Sequence, residues 1–361
     1  MIAYILVVLF PFFAEVLYKS RLKEKELSRE DPEATKMLRR YVLLAALPMF
    51  FLIAFRNQSI GADTNGYLEN FQRTINVSWS DLEESSRMEY GYLVFVKLLT
   101  YVTHNPLVFQ IIYTSIYLFA LASFVNELEE EHFFFLFLFG ALGSYTFMFT
   151  GVRQCLAMSI CLFSFRFVKR RKPILFALLL LLAFQFHKSA VLFAMAYLIY
   201  PRKLSVLNVL LYFGVASFAV VYLEELQAFL NDQLDYDYGI EGQTGGIIFA
   251  VVMMVITVFT MVMTVSSKSL NRSSRGLINV GLVAMICWVL RIFTRIAERP
   301  SFYFLPFSFA ALAYAVSTMK DKKEKKFTKT VIVVFALALY IYKFMTNFVK
   351  FVPYSFYSAN F

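Results

Sequence analysis

Three groups of residues in this 361-residue chain have types and spacings that suit chemistry on an anion. Arg153 stands in GVRQ beside Gln154, His187 stands in FQFHKS just before Ser189, and Arg291, Arg295 and Arg299 recur every fourth residue in RIFTRIAERP. A guanidinium is planar, permanently charged and meets phosphate oxygens two at a time, so clustered arginines can hold a diphosphate without a metal. A neutral imidazole can take a proton from a hydroxyl near physiological pH. The spacing of four predicts that the three late arginines share one helical stripe, with Glu298 available to pair with one of them. Structural readings compete at each position: a pairing network for the stripe, a snorkelling side chain for Arg153, an interfacial hydrogen bond for His187.

A fourth group lies earlier. The loop RNQSIGADTNGY carries Arg56, Asp63, Thr64 and Tyr67, and MEYGY carries Glu89 and Tyr92. Carboxylates, hydroxyls and aromatic rings together are what binding sugar hydroxyls and stacking on sugar faces call for, although each alone could equally serve a turn. Glu89 and Asp63 also stand behind His187 as candidate bases. Cys155, Cys161 and Cys287 fall inside apolar runs and read as packing residues. The chain has no P-loop, GxGxxG or HExxH and no Cys/His metal spacing, so no metal and no cofactor are expected.

The elements that must position these groups follow from composition. At 59% hydrophobic and 18% aromatic residues, with 42 Phe against 13 Gly and 9 Pro, the chain predicts an all-α, polytopic transmembrane bundle. Apolar runs recur almost to the C-terminus, so residues 1–361 read as a single integral membrane domain. The first segment, MIAYILVVLFPFFAEVLY, lacks a basic leader and a cleavage site and reads as a retained helix. Twelve spans are predicted, at about 2–18, 41–55, 106–124, 133–150, 155–168, 173–186, 189–200, 204–223, 246–266, 276–297, 301–318 and 330–347. Several are too short for a bilayer of roughly 30 Å unless they continue into flanking residues or end at a cavity.

Charge sets the orientation. With both termini outside, the loops at 19–40, 166–172, 202–203, 268–275 and 320–329 place 24 of the 35 Lys and Arg residues inside. The formal net charge of +10 is thereby explained by the loops, and no nucleic-acid partner is implied. The segment 224–245, with six acidic residues and no basic one, reads as an acidic outer loop. NELEEEH is the one inner loop against the trend, and acidic residues weigh little in the rule. The arrangement requires 56–105 to lie outside, with GYLVFVKLLTYVTH as an amphipathic or re-entrant helix and Lys97 toward the polar region. Arg153, His187 and the late arginines then stand on the charge-poor outer side. Their shared position points to a site for a di-anionic, lipid-linked phosphate substrate.

Taken in order, RNQSIGADTNGY, EYGY, GVRQCLAMSI, KRRKP and FQFHKSAVL, followed by RIAERPSFYF, resemble the EpsG-like family of Wzy-type bacterial polysaccharide polymerases. The resemblance places the family's Arg–Gln pair on Arg153 and Gln154, its Phe–His–x–Ser on Phe186, His187 and Ser189, and its Gly–x–Asp–Thr on Gly61, Asp63 and Thr64. Tyr303 joins the binding residues from the aromatic segment after the late arginines. It implies a glycosyltransferase of membrane lipid-sugar (GT-C-like) architecture in the bacterial cytoplasmic membrane, with its active site facing outside. The implied reaction joins oligosaccharide repeat units carried on undecaprenyl diphosphate, beside a flippase and a chain-length regulator of the same pathway. Arg153, Arg295 and Arg299 would neutralise the departing diphosphate, helped by Arg56 or Arg291, while His187 serves the acceptor hydroxyl. A flippase of the same lipid-linked sugar, and a membrane ligase or acyltransferase, are the rival readings.

Overall fold

A computed structural model of the chain describes residues 1–221, 246–346, 351 and 353–358, and the regular elements among them are all helical. In chain order they are α1 (Ile2–Glu24), α2 (Pro32–Ala54), α3 (Thr64–Ile75), α4 (Tyr90–Thr100), α5 (Pro106–Val125), α6 (His132–Ala141), α7 (Ser144–Phe147), α8 (Val152–Lys169) and α9 (Pro173–Phe186). A 3-10 helix (Lys188–Phe193) leads into α10 (Ala194–Ile199) and α11 (Val206–Val221). The last four are α12 (Ile247–Ser266), α13 (Arg272–Leu290), α14 (Glu298–Ser317) and α15 (Lys322–Thr346). The acidic segment 224–245 lies outside the described residues.

Local sequence explains where the helices start. Pro32, Pro106 and Pro173 each open a helix, where a missing N–H costs nothing and the fixed φ is already helical. Asn105 caps α5 by accepting the Leu107 N–H at 2.8 Å, and Asn271 and Ser274 cap α13 reciprocally.

Among the described residues seven helices are long and apolar enough to cross a membrane: α1, α2, α5, α12, α13, α14 with the turn preceding it, and α15. The chain is therefore a multi-pass helical membrane protein. The remaining predicted spans fall on shorter or broken elements. Span 133–150 divides into α6 and α7 at Gly143, whose φ of +110° closes one helix and opens the other. Span 189–200 is a 3-10 helix followed by the six-residue α10, and 173–186 is the 14-residue α9.

Helices α13 and α14 form the centre, with 83% of the apolar window of each buried, whereas α15 buries 17% and turns an apolar surface outward. In lipid no hydrophobic gain separates helix from helix, so close packing of small residues must hold them. Gly281 meets Ser308 so closely that an added Cβ would lie 3.0 Å from the Ser308 Cα, and Gly276 leaves room for the Tyr200 ring. The aberrant acidic loop is accounted for at the basic end. Glu131 pairs with Lys325 and Lys329 at 2.9 and 2.8 Å, Glu127 with Arg170 at 2.9 Å, and Glu130 with Arg29 at 3.8 Å.

At the opposite end α3 and α4 pack on each other, α3 on α5 and α4 on α9. Lys97 is buried, and its ammonium caps the end of α3 through the carbonyls of Thr74, Ile75 and Val77 at 3.2, 3.3 and 2.6 Å. The polar groups it meets are thus main-chain carbonyls.

Candidate active site

Glu89 is the centre of the site. It directly precedes α4, and Gly91 in the first turn lets that turn rest on the end of α9, since a Cβ there would lie 2.4 Å from the Gln185 Cβ. His187 ends α9 in extended backbone (φ −159°, ψ 118°) before the chain winds into the 3-10 helix. The two side chains then meet: His187 Nδ1 is 3.2 Å from Glu89 Oε1, which also accepts the Lys188 N–H at 3.3 Å. The other carboxylate oxygen, Oε2, forms an ion pair with Arg153 Nη1. A carboxylate can only accept, so the imidazole carries its proton on Nδ1 and presents Nε2 as the basic nitrogen.

Burial alone would raise the Glu89 carboxyl. The His187 hydrogen bond and the Arg153 charge overrule it and hold the pKa at about 2. Glu89 is therefore an anion at neutral pH, held against the His187 imidazole and the Arg153 guanidinium.

Arg153 lies in the first turn of α8, as its position after GVRQ's glycine predicts. The start of that helix is clamped from several sides. Tyr117 donates to the Val152 carbonyl at 3.0 Å, Arg153 acts electrostatically on Tyr67, and Tyr92 sits edge-on to Tyr67 with centroids 6.0 Å apart. The loop RNQSIGADT completes the clamp. Gly61, at φ +91°, sits where a Cβ would be 2.0 Å from the Phe149 carbonyl oxygen, and the Thr64 hydroxyl donates to that oxygen at 3.0 Å.

Arg56, expected to assist at the diphosphate, is fully buried behind this loop. It donates to the carbonyls of Ile53, Ile60 and Phe149 at 2.6, 3.2 and 3.3 Å and to the hydroxyls of Thr64 and Tyr113 at 3.2 and 3.0 Å. The structure makes it a scaffold for the loop, because a buried guanidinium has to find its acceptors within the protein. Asp63 is exposed at the N-cap of α3.

The late arginines do not share a helix. α13 stops at Leu290, Arg291 caps it, Arg295 opens a 3-10 turn, and Arg299 belongs to α14. Thr294 breaks the run by accepting the Ile296 N–H at 3.4 Å, and Pro300 falls in the first turn of α14, where no donor is needed. The predicted stripe is thereby corrected to three separate settings. Arg291 is buried and pairs with Glu298 at 2.8 Å, Arg295 is exposed, and Arg299 lies over the Phe147 ring with its guanidinium carbon 5.6 Å from the centroid. Gln154 ties this arm to the first by donating to the Arg299 carbonyl at 2.6 Å, and Ser189 meets the Tyr303 hydroxyl at 3.2 Å. Among the described residues no three of His, Cys, Asp and Glu are grouped.

The site therefore joins the short helix α4, the start of α8, the end of α9 and the start of α14. A sequence model of the EpsG family matches residues 39–356, most of the chain. The chain belongs to the EpsG family. This is a family of Wzy-like polysaccharide polymerases, so its coarse role is polysaccharide polymerisation. No curated protein and no solved structure matched the chain. Within this EpsG-family chain the motif residues Arg153, Gln154, His187 and Ser189 converge, whereas Gly61 and Thr64 hold the support beneath them. Sequence reasoning missed Gly91 and Phe147. The glycine inside the EYGY motif was the available signal for the first.

Proposed function

We propose that this EpsG-family protein joins oligosaccharide repeat units carried on undecaprenyl diphosphate at the outer face of the bacterial cytoplasmic membrane. The observation that carries the reading is Glu89 held between Arg153 and His187, a buried anion that orients an imidazole beside a guanidinium. His187 Nε2 takes the proton of the acceptor hydroxyl as its oxygen bonds to the anomeric carbon of the donor sugar. The bond from that carbon to the phosphate oxygen breaks, and the lipid diphosphate leaves with the electron pair. Arg153 and Arg299, with Arg291 and Arg295 nearby in sequence, meet the charge that develops there. Fixed cations lower a barrier most where charge grows between ground and transition state. Tyr67, Tyr92, Ser189 and Tyr303 supply the hydroxyls and ring faces that suit a sugar. The broken helices that bring these groups together fit a lipid-sugar (GT-C-like) glycosyltransferase, in which irregular backbone lines a cavity.

The test is the length distribution of lipid-linked glycan in a strain carrying the deletion, complemented with wild type, Arg153→Ala or His187→Ala at matched protein level. Single repeat units accumulating in the deletion and in both variants are the expected result. Normal polymer in the deletion overturns the polymerase reading, and full-length unattached polymer transfers it to a ligase.

A further inference from the structure

One cation at this end of the molecule has no part in the reading above. Lys343 lies near the end of α15, fourteen residues beyond Lys329, the last of the basic residues that open that helix. At 1.5 Å per residue the intervening stretch covers about 21 Å, so Lys343 lies at membrane depth, toward the end of the bundle that holds the site. Its neighbours Tyr342 and Met345 are exposed on the outward face, while Lys343 is partly buried and turned inward. Its Nζ is 3.0 Å from where a Cβ on Gly143 would lie and 4.5 Å from the centre of the Phe249 ring. A lysine with only an anchoring role would snorkel outward along lipid.

Its surroundings belong to the late-arginine arm. Phe249 packs edge-on against Trp288 at 4.4 Å, one turn before Arg291. Gly246, at φ +82°, brings α12 so near that a Cβ there would be 3.1 Å from the Arg291 Cγ. Glu298, which pairs with Arg291, also acts on Lys343 electrostatically. α7 connects the arms: Lys343 sits against Gly143 just before it, and Arg299 lies over Phe147 at its last residue. One cation thus stands at each end of α7, a single helical turn. An ionisable side chain turned into a bundle at membrane depth calls for a functional account.

Resting on the polymerase reading, we propose that Lys343 is a further phosphate-binding residue, holding one phosphoryl group of the lipid diphosphate across α7 from Arg299. Gly143 is the residue that lets it approach. A side chain there would take the space of the ammonium, and the backbone conformation already favours glycine.

Purified wild type, Lys343→Met and Lys343→Arg in lipid nanodiscs, titrated with undecaprenyl diphosphate and separately with inorganic diphosphate, test this. Lys343→Met is expected to weaken the lipid by about tenfold or more, the loss of one hydrogen bond to a charged group, with an unchanged thermal midpoint; Lys343→Arg restores most of it. A parallel loss for inorganic diphosphate shows that phosphate alone is recognised. Binding of the lipid only, with the same loss, assigns the contact to the lipid-linked form. Wild-type affinity in Lys343→Met, or in Lys343→Gln if Met does not fold, overturns the inference and leaves the proposed function standing. A wild-type protein that binds no lipid diphosphate overturns both.

Discussion

The two ends of this membrane protein use the same residue types to opposite purpose. At the basic end Arg170 meets Glu127, and Lys325 and Lys329 meet Glu131, through side chains that are in part open to solvent. At the other end Glu89 is 5% exposed, His187 6% and Arg153 20%, and one carboxylate serves both partners. Exposed pairs are screened and contribute about 0–1 kcal/mol, whereas removing one member of a buried pair leaves its partner uncompensated and costs about 3–5 kcal/mol. Charge at the basic end is gathered by number. Charge at the site sets geometry by position.

Substitutions at the two ends should separate accordingly. The largest effect is expected for Glu89→Gln, which keeps size but loses the anion that fixes the His187 tautomer. Polymerising activity should fall by about 10²–10⁴-fold, with His187→Ala no worse in the double variant, as measured by glycan length and initial rate. Independent, multiplicative losses would show that Glu89 does not act through the histidine. Next, Arg56→Met should lower stability by about 3–5 kcal/mol, because it leaves the Phe149, Ile53 and Ile60 carbonyls and the Thr64 and Tyr113 hydroxyls without their donor. Thermal unfolding in detergent measures it, and a wild-type midpoint with lost activity would instead make Arg56 a substrate contact. Gly91→Ala should cost about 1–3 kcal/mol by pushing α4 off α9, and activity should fall more than stability because Glu89 moves with it.

A fourth prediction concerns pH. The Glu89 carboxyl is held at about 2 in the folded protein against an ordinary 4.5, so its contribution is complete above 4.5 and disappears as pH falls toward 2. The stability of wild type should therefore decline through that window more steeply than that of Glu89→Gln. Parallel curves would mean that the carboxylate is not held by its partners. The smallest effect is expected at the basic end, where Glu127→Ala should change stability by no more than about 1 kcal/mol and leave the site unaffected.

Legibility followed the same division. The start of α8 at Arg153 and the end of α9 at His187 could be read from local signals, a glycine before one and the end of an apolar run at the other. The late arginines were misread because a spacing of four is helical only while the helix continues, and Thr294 with Pro300 stops it. Arg56 looked like a ligand residue because its acceptors, Phe149 and Tyr113, lie far along the chain. The predicted spans 133–150, 173–186 and 189–200 fall on short or broken helices, since hydropathy does not register a turn such as that at Gly143.

By itself, the sequence determined the helical membrane class, the segregation of Lys and Arg to one end, and the family through its ordered motifs. These depend on composition, periodicity and short-range order, all of which are carried along the chain. Only the tertiary structure decided that Glu89 lies between Arg153 and His187, partners 64 and 98 residues away, and that Lys343 turns inward to Gly143. Those contacts arise from which helix faces pack together, and no local pattern encodes a through-space distance.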